Sequence, residues 1–181
     1  MAQTSTLVVY STKHGSTERY AQWIAADCGA DLRRAGETKA EDLLRYDTII
    51  YGGCVYQGTL RGADLLKKNL EKLRGKKLAV FAVGLTHPAD DAAFAQVLAQ
   101  NFTPAQQEGI RFFHFPGALD YSKMTFSQKY MMKLLVKNIR KRPADQWSEI
   151  ENSIVLSYGT GVDFTNRSYI QPLVQYIQSA E

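Results

Sequence analysis

The chain has 181 residues, of which 45% are hydrophobic and 22% charged, with a net charge of +4 at pH 7 and an isoelectric point near 9.0. This length suits one sizeable core and leaves no room for two comfortable ones. No apolar run approaches the roughly 18 residues of a membrane-spanning helix. The basic charge is compatible with an anionic membrane, a carboxylated substrate or nucleic acid as partner, or with a face that is simply solvated.

The two cysteines, Cys28 and Cys54, are far apart and match no metal or redox spacing. Two thiols in a chain of this length favour a reducing compartment. The first residues do not resemble a signal peptide. We therefore expect a soluble or peripheral protein of the cytoplasm.

The first predicted element is a buried strand over Thr6–Tyr10, followed by a hydroxyl-rich turn and an amphipathic helix from Glu18. The first N–H groups of a helix lack partners within it, and the helix dipole adds positive potential there. Gly15 lets the backbone turn tightly against a ligand. The hydroxyl donors around this point are Ser11, Thr12, Ser16 and Thr17. The pattern predicts a phosphate site; the alternative is an ordinary N-capped helix.

The turn lacks two common nucleotide-binding patterns, the G-x-x-x-x-G-K-[ST] loop and the G-x-G-x-x-G turn. Hydroxyl groups, rather than several glycines and a lysine, would do most of the donating. This composition favours a phosphate monoester at the end of a ligand over a bridging pyrophosphate.

The run Ser11-Thr12-Lys13-His14-Gly15-Ser16-Thr17 resembles the phosphate loop of flavodoxin-like proteins, which hold FMN. Its S-T-x-x-G-x-T form is most similar to the branch of that family that includes menaquinone-dependent protoporphyrinogen oxidase. The resemblance implies non-covalently bound FMN. Lys13 and His14 depart from the usual loop, which is free of basic side chains. Either of them partly neutralises the phosphate or points to solvent.

Further along the chain, predicted strands alternate with predicted helices, which favours βαβ units around a parallel sheet. The predicted strands are Asp31–Arg34, Asp47–Gly53, Lys77–Gly84 and Arg111–Phe115. The predicted helices are Leu60–Leu73, Asp90–Phe102 and Ile170–Ser179, with Lys39–Leu44 as a turn or short helix. Tyr158–Asp163 is interpreted as a loop, and Ile154–Leu156 is too short to assign. The resemblance implies the α/β class, a flavodoxin-like doubly wound three-layer sandwich with a central parallel sheet.

Ligands of such sheets bind outside the carboxyl ends of the strands, and two more loops follow such ends, Gly53–Gly58 and Gly84–Pro88. In flavodoxin-like proteins the matching loops bracket the isoalloxazine ring, and Tyr56 is the candidate for stacking on it. The cofactor contacts that the resemblance implies here are Cys54, Val55, Tyr56, Gln57, Gly58, Gly84, Leu85, Thr86 and His87. The alternative is a pair of ordinary glycine-rich loops.

Two other α/β families fit poorly. A response-regulator receiver needs acidic residues after its first strand and a phosphorylatable Asp after its third, and no such residues occur there. A hydrolase would show a G-x-S-x-G elbow, which the chain lacks. His14, His87 and His114 have no metal-ligand spacing, so we predict no metal site. No side chain stands out as a general base.

An insertion over about Ser122–Ile150 separates the last strand from the final helix, and its centre, Phe126–Lys141, is predicted to be helical. Lysines recur every four residues along it, at Lys129, Lys133, Lys137 and Lys141. Methionines and aromatics beside lysines suit an adaptable contact surface or a membrane-surface helix. The alternative is a helix that packs on the domain with its lysines in water.

The G-A-L-x-Y start at Gly117 and this basic, Met-rich helix resemble the insertion of the protoporphyrinogen oxidase branch, where it is associated with enzyme function and membrane contact. The resemblance implies an FMN-dependent oxidoreductase of haem biosynthesis that passes electrons from a porphyrinogen substrate to a quinone acceptor. Lys129, Lys133, Lys137 and Arg140 are the candidate contacts with substrate or membrane. The alternatives are a non-enzymatic electron carrier and an NAD(P)H-dependent quinone reductase. We expect one domain over residues 1–181, no nucleic-acid partner and a place at the inner face of the cell membrane; the oligomeric state is not predicted.

Overall fold

The computed structural model describes residues 5–56, 58–85 and 91–179. The strands are β1 (Thr6–Ser11), β2 (Asp31–Arg34), β3 (Thr48–Tyr56), β4 (Thr59–Leu60), β5 (Lys77–Gly84), β6 (Ile110–Pro116), β7 (Ala118–Asp120) and β8 (Gly161–Asp163). A parallel sheet has the order β2-β1-β3-β5-β6, and β4 pairs antiparallel with the end of β3. β7 and β8 form a separate antiparallel ribbon.

Helices lie on both faces of the parallel sheet. They are α1 (Ser16–Cys28), α2 (Ala40–Leu44), α3 (Asp64–Lys67), α4 (Asp91–Asn101), α5 (Pro104–Gln107), α6 (Phe126–Ile139), α7 (Glu149–Leu156) and α8 (Gln171–Gln178). Short 3-10 segments occupy Ala35–Glu37, Leu70–Leu73, Tyr121–Lys123, Ala144–Gln146 and Arg167–Ile170.

Two cores cover the two faces of the sheet, because successive side chains of a strand point in opposite directions. Leu7 of β1 packs with side chains of α2, α3 and the segment after α4 on one face. Its neighbour Val8 packs with side chains of α1 and α8 on the other. Helix, sheet and helix thus form three layers, which confirms the α/β class expected from the sequence.

A third core lies within the insertion. Its buried members are Met132, Val136 and Ile139 of α6 and Ile150, Ile154 and Val155 around α7. The buried positions of α6 recur at helical spacing along one face of the helix. The insertion therefore has an inner face that α7 covers and an outer face that remains exposed.

Most predicted elements are confirmed, with small shifts at their ends. β2 and β5 have the predicted bounds, and α1 begins at Ser16 rather than Glu18. Pro172 lies in the first turn of α8. A backbone N–H there would have no acceptor within the helix, so proline breaks no helical hydrogen bond at this position. Gly52, within β3, has no room for a side chain, because a Cβ there would lie 2.0 Å from the Phe81 ring.

The predicted helix Leu60–Leu73 is wrong. The segment forms β4, the single turn of α3 and a 3-10 segment. Gly62 has a φ of +78°, and its carbonyl accepts from the Tyr51 hydroxyl at 2.6 Å. Asn69 donates its side-chain amide to the Leu65 carbonyl and so competes with the helical ladder. Tertiary and side-chain bonds thus replace the helix that the leucine spacing favoured.

Three smaller corrections concern loops. β3 continues to Tyr56, so most of the predicted loop Gly53–Gly58 belongs to the strand that pairs with β4. Tyr158–Asp163, interpreted as a loop, contains β8. The unassigned Ile154–Leu156 is the end of α7. Within the described residues, no helix has the length and apolarity needed to cross a bilayer.

Candidate functional site

A cleft of about 230 Å³ opens at the carboxyl ends of β1, β3 and β5. The strand order reverses beside β1, because β2 lies on one side of it and β3 on the other. Loops leaving the sheet on either side of such a reversal diverge and leave a crevice for a ligand. The predicted site residues that line the cleft are Thr12, His14, Ser16, Thr17, Cys54, Val55, Tyr56, Gly84 and Leu85.

The loop after β1 forms the first wall of this cleft and presents an uncapped helix start to it. Gly15, at the N-cap of α1, has a φ of +94°, and no side chain of the described residues caps the helix. The Thr12 hydroxyl oxygen accepts from the Gly15 N–H at 3.0 Å and closes the turn. The N–H groups at the first positions of α1 thus lack helical acceptors, and the helix dipole favours an anion beside them.

The Ser16 and Thr17 hydroxyls, at the start of α1, can also donate to a ligand in the cleft. The Ser16 Oγ accepts from the Ala118 N–H at 3.1 Å, which leaves the proton of Ser16 free to donate. Thr17 is only 1% exposed, and its Oγ1 has no hydrogen-bond partner among the described residues. A buried hydroxyl without a partner is costly unless a ligand satisfies it. The residues present therefore fit the terminal phosphate of FMN.

A hairpin forms the second wall. Cys54, Val55 and Tyr56 line the cleft from the end of β3. The hairpin is fastened by Asn101, whose Nδ2 donates to the Gly58 carbonyl at 2.7 Å and whose Oδ1 accepts from the Leu60 N–H at 2.8 Å. This bond turns the Gly58 carbonyl towards α4.

The Cys54 thiol is an unreactive part of this wall. Burial raises its pKa, which outweighs the opposing influence of Arg61 and Lys13. A thiol with a raised pKa stays protonated and is a weak nucleophile near neutral pH. Cys54 thus contributes shape rather than chemistry.

The third wall comes from residues that sequence reasoning did not place at the site. The insertion contributes Met124, Gln128, Met131 and Met132, and the chain around β7 contributes Gly117, Ala118, Leu119 and Asp120. The Met-rich run was visible in the sequence as a contact surface. Its contact with the loop after β1 was not visible, because the two segments are distant in sequence and meet only through tertiary packing. Gln128 makes that contact, with its Nε2 3.4 Å from the His14 Nε2.

His14 is held towards its neutral form. Partial burial lowers its pKa, the positive charge of Lys13 acts in the same direction, and Asp120 opposes them. Lys13 itself does not line the cleft, and its ammonium lies over the Tyr56 ring. Of the two basic side chains in the loop, His14 therefore faces the cleft and the insertion, whereas Lys13 lies against Tyr56.

The outer face of α6 is apolar and basic. Phe126 is 89% exposed and Tyr130 57% exposed, and Leu134 continues the same stripe. Lys133, Lys137 and Arg140 are exposed nearby and do not line the cleft. Lys129 is partly buried, with its ammonium 5.4 Å from the centre of the Tyr121 ring.

Some predicted site residues are not brought into the cleft. Ser11, Gly15 and Gly58 lie beside it without lining it, as Lys13 does. The predicted contacts Gln57, Thr86 and His87 fall outside the described residues. Within the described ranges, no three His, Cys, Asp or Glu side chains come together as a metal site.

Comparison with known proteins gives one family and several similar chains. The model of the family described as "Flavodoxin domain" matches residues 7–146. The protoporphyrinogen IX dehydrogenase (quinone) of Escherichia coli K12 is 24% identical over 142 residues, which cover 73% of this chain and 78% of that protein. Oxidised flavodoxin 2 of Bacillus cereus is 26% identical, with 61% of this chain and 84% of that one covered, at a TM-score of 0.42. A WrbA-like protein of Agrobacterium tumefaciens is 15% identical, with 87% and 94% covered, at a TM-score of 0.42.

Proposed function

The chain belongs to the flavodoxin domain family, and we propose that it is an oxidoreductase that takes electrons from a porphyrinogen and delivers them to a quinone. FMN is the cofactor of this family. The E. coli relative carries the name of this reaction, and its 24% identity supports the proposal. The family match supplies the cofactor, and the proposal adds the substrate and the electron acceptor.

The residues of the first two walls would hold FMN. The Thr17 hydroxyl and the first N–H groups of α1 would bind the phosphate, and Tyr56 and Leu85 would flank the ring. When bound, FMN would supply two-electron chemistry, so that the porphyrinogen would lose two electrons and two protons in each of three rounds, and three quinones would take them up as quinols to give the porphyrin. The walls orient the reactants and keep water from the apolar part of the cleft.

The observation that carries the proposal is the third wall. Met124, Met131 and Met132 face the cofactor cleft, and methionine side chains adapt to large apolar surfaces. A flat macrocycle needs such a surface beside the ring that oxidises it. A small electron carrier has no need of a methionine wall at this position.

The outer face of α6 supports a place at the membrane, where quinones dissolve. Its aromatic and aliphatic side chains, Phe126, Tyr130 and Leu134, would enter the interface between headgroups and acyl chains. Lys133 and Lys137 form salt bridges with no described carboxylate, so their charge is available for anionic lipids or for porphyrin propionates.

The test is anaerobic turnover. FMN-loaded protein is mixed with protoporphyrinogen IX and a menaquinone analogue, and porphyrin fluorescence is followed. We expect growth of the signal that requires protein, FMN and quinone. A flat trace from fully flavinated protein contradicts the proposal, and quinone reduction by NAD(P)H in the same preparation would favour the reductase alternative.

The membrane part has its own test, flotation with vesicles that contain anionic lipid. We expect the protein to float with them and the double variant Lys133→Glu/Lys137→Glu to remain below. The variant Lys68→Glu/Lys72→Glu, made at two exposed lysines between α3 and β5, has the same charge change and the same spacing, and should float like the wild type. Equal flotation of the two variants contradicts contact through α6.

A further inference from the structure

The amide of Gln128 has a fixed orientation at the start of α6. Gln128 is 8% exposed, and its Oε1 accepts from the Thr125 N–H at 2.8 Å and from the Thr125 hydroxyl at 3.1 Å. A reversed amide would turn its NH₂ group towards the Thr125 N–H and place two donors face to face. The bonds to Thr125 therefore point the NH₂ group of Gln128 away from the helix.

That NH₂ group faces His14. The Nε2 atoms of Gln128 and His14 lie 3.4 Å apart. An amide nitrogen only donates, so the His14 Nε2 must accept, and the ring proton must lie on Nδ1. A protonated ring carries N–H groups on both nitrogens, and one of them would then oppose the NH₂ of Gln128.

The charges around His14 also favour the neutral ring. Lys13 from the same loop and Lys123 beyond β7 are positive, and Asp120 from β7 is negative. Asp120 is occupied by Ser122, whose hydroxyl donates to it at 2.5 Å, and by Lys123 at 2.9 Å. Its attraction for a proton on His14 is thus shared with closer partners, and the pKa of His14 is lowered, with burial as the largest cause.

We propose that Gln128 is a positioning residue of the cofactor site: it holds His14 as a neutral ring with its proton on Nδ1 and ties α6 to the phosphate loop through that ring, so that protonation of His14 releases the first turn of α6. The inference concerns the cofactor cleft on which the proposed function rests. The contact itself lies wholly within the protein, so it can be tested without cofactor or substrate.

Nitrogen NMR of the imidazole groups tests the tautomer. The chain has three histidines, and the variant His14→Asn assigns the signals of His14. In cofactor-free protein we expect an unprotonated Nε2 in the neutral ring. Gln128→Leu should shift the ring towards the Nε2–H tautomer that a neutral histidine side chain prefers in water. A proton on Nε2 in the wild type, or the same tautomer in Gln128→Leu, overturns the proposal.

The pH titration of the same signals separates positioning from mere packing. Gln128→Glu places a carboxylate where it accepts from a protonated ring, so the titration midpoint of His14 should rise by about one pH unit. Gln106→Glu is the matched control, because Gln106 occupies the same capping-box position with Thr103 at the start of α5. A midpoint that does not rise in Gln128→Glu, or that rises equally in Gln106→Glu, overturns the proposal.

Hydrogen exchange tests the release of α6. Protection of the first-turn amides of α6, corrected for intrinsic rates, should fall in the wild type as the pH is lowered through the His14 midpoint. In His14→Asn this dependence should vanish. The same profile in both proteins refutes the release. Because none of these measurements uses FMN, porphyrinogen or quinone, their failure leaves the proposed function standing, and failed turnover leaves this inference standing.

Discussion

The ammonium nitrogen of Lys13 lies 4.1 Å from the centre of the Tyr56 ring. The pair joins the loop after β1 to the end of β3, which are the first two walls of the cleft. Tyr56 lines the cleft and Lys13 does not, so the cation stands behind the ring that we propose to stack on the flavin. A cation in this place stabilises negative charge that develops on the other side of the ring.

Lys13→Met should therefore make bound FMN harder to reduce. With the flavin on the other face of Tyr56, the ammonium would lie about 8 Å from it, and a solvent-exposed unit charge at that distance interacts with the reduced flavin by about 0.5–1 kcal/mol. This corresponds to a potential lower by roughly 10–20 mV for a two-electron couple when the charge is removed. The measurement is an anaerobic titration against a reference dye. Lys72→Met, at the opposite edge of the sheet, should leave the potential unchanged. A potential that stays constant or rises in Lys13→Met contradicts the role of this cation.

Thr17→Ala should weaken FMN binding. The Thr17 hydroxyl has no partner among the described residues, so its removal loses no internal bond. A hydrogen bond to a charged phosphate is worth roughly 1 kcal/mol or more, so the dissociation constant should rise at least about fivefold. Quenching of FMN fluorescence on binding measures it. Thr17→Ser, which keeps the hydroxyl, should bind nearly as the wild type, and an unchanged constant in Thr17→Ala would remove Thr17 from the phosphate site.

Asn101→Leu should destabilise the hairpin that carries Tyr56. The substitution leaves the Leu60 N–H and the Gly58 carbonyl without their partner, and each such buried group costs about 1–3 kcal/mol. The urea midpoint should fall by an amount equivalent to about 2 kcal/mol or more. Gln96→Leu, at an exposed position of the same helix α4, serves as control. Equal midpoints in the two variants would show that Asn101 does not fasten the hairpin.

Asp120 should contribute to acid sensitivity. Donation from Ser122, and then from Lys123, lowers the pKa of Asp120 to about 2. Because this is below the value of about 3.9 for an unfolded chain, the carboxylate stabilises the fold above pH 4, and the contribution is lost as the pH falls from about 4 towards 2. Asp120→Asn should flatten the loss of stability over that interval in denaturant titrations. A slope that Asp120→Asn leaves unchanged refutes the contribution.

The sequence was sufficient for the parts of the fold that local pattern determines. Continuous apolar runs such as Lys77–Gly84 specify buried strands, and their bounds are confirmed. The failure at Leu60–Leu73 has a tertiary cause, because Asn101 and Tyr51 bond the backbone of that segment from distant positions. The β7–β8 ribbon was missed for a similar reason, since it pairs Ala118 with Asp163 across the whole insertion.

The candidate site divides in the same way. The structure brings the hydroxyl-rich turn after β1 and the end of β3 together at one cleft, because the carboxyl ends of neighbouring parallel strands meet at one edge of the sheet. Their contacts with FMN stay a prediction. The insertion wall could not be placed, because helical periodicity identifies the buried face of α6 without its partner. The sequence pattern around Gln128 predicts only a capping box with Thr125, yet its amide also contacts His14, 114 residues earlier in the chain.

The separate core of the insertion has a practical consequence. The chain has two tryptophans. Trp23 packs edge-on against Tyr20 beside the core of the sheet, and Trp147 packs on the core of the insertion and donates its indole N–H to the Arg142 carbonyl. Intrinsic fluorescence therefore carries one reporter for each part. Comparison of Trp23→Phe with Trp147→Phe during thermal melting will reveal whether the insertion melts with the sheet or before it.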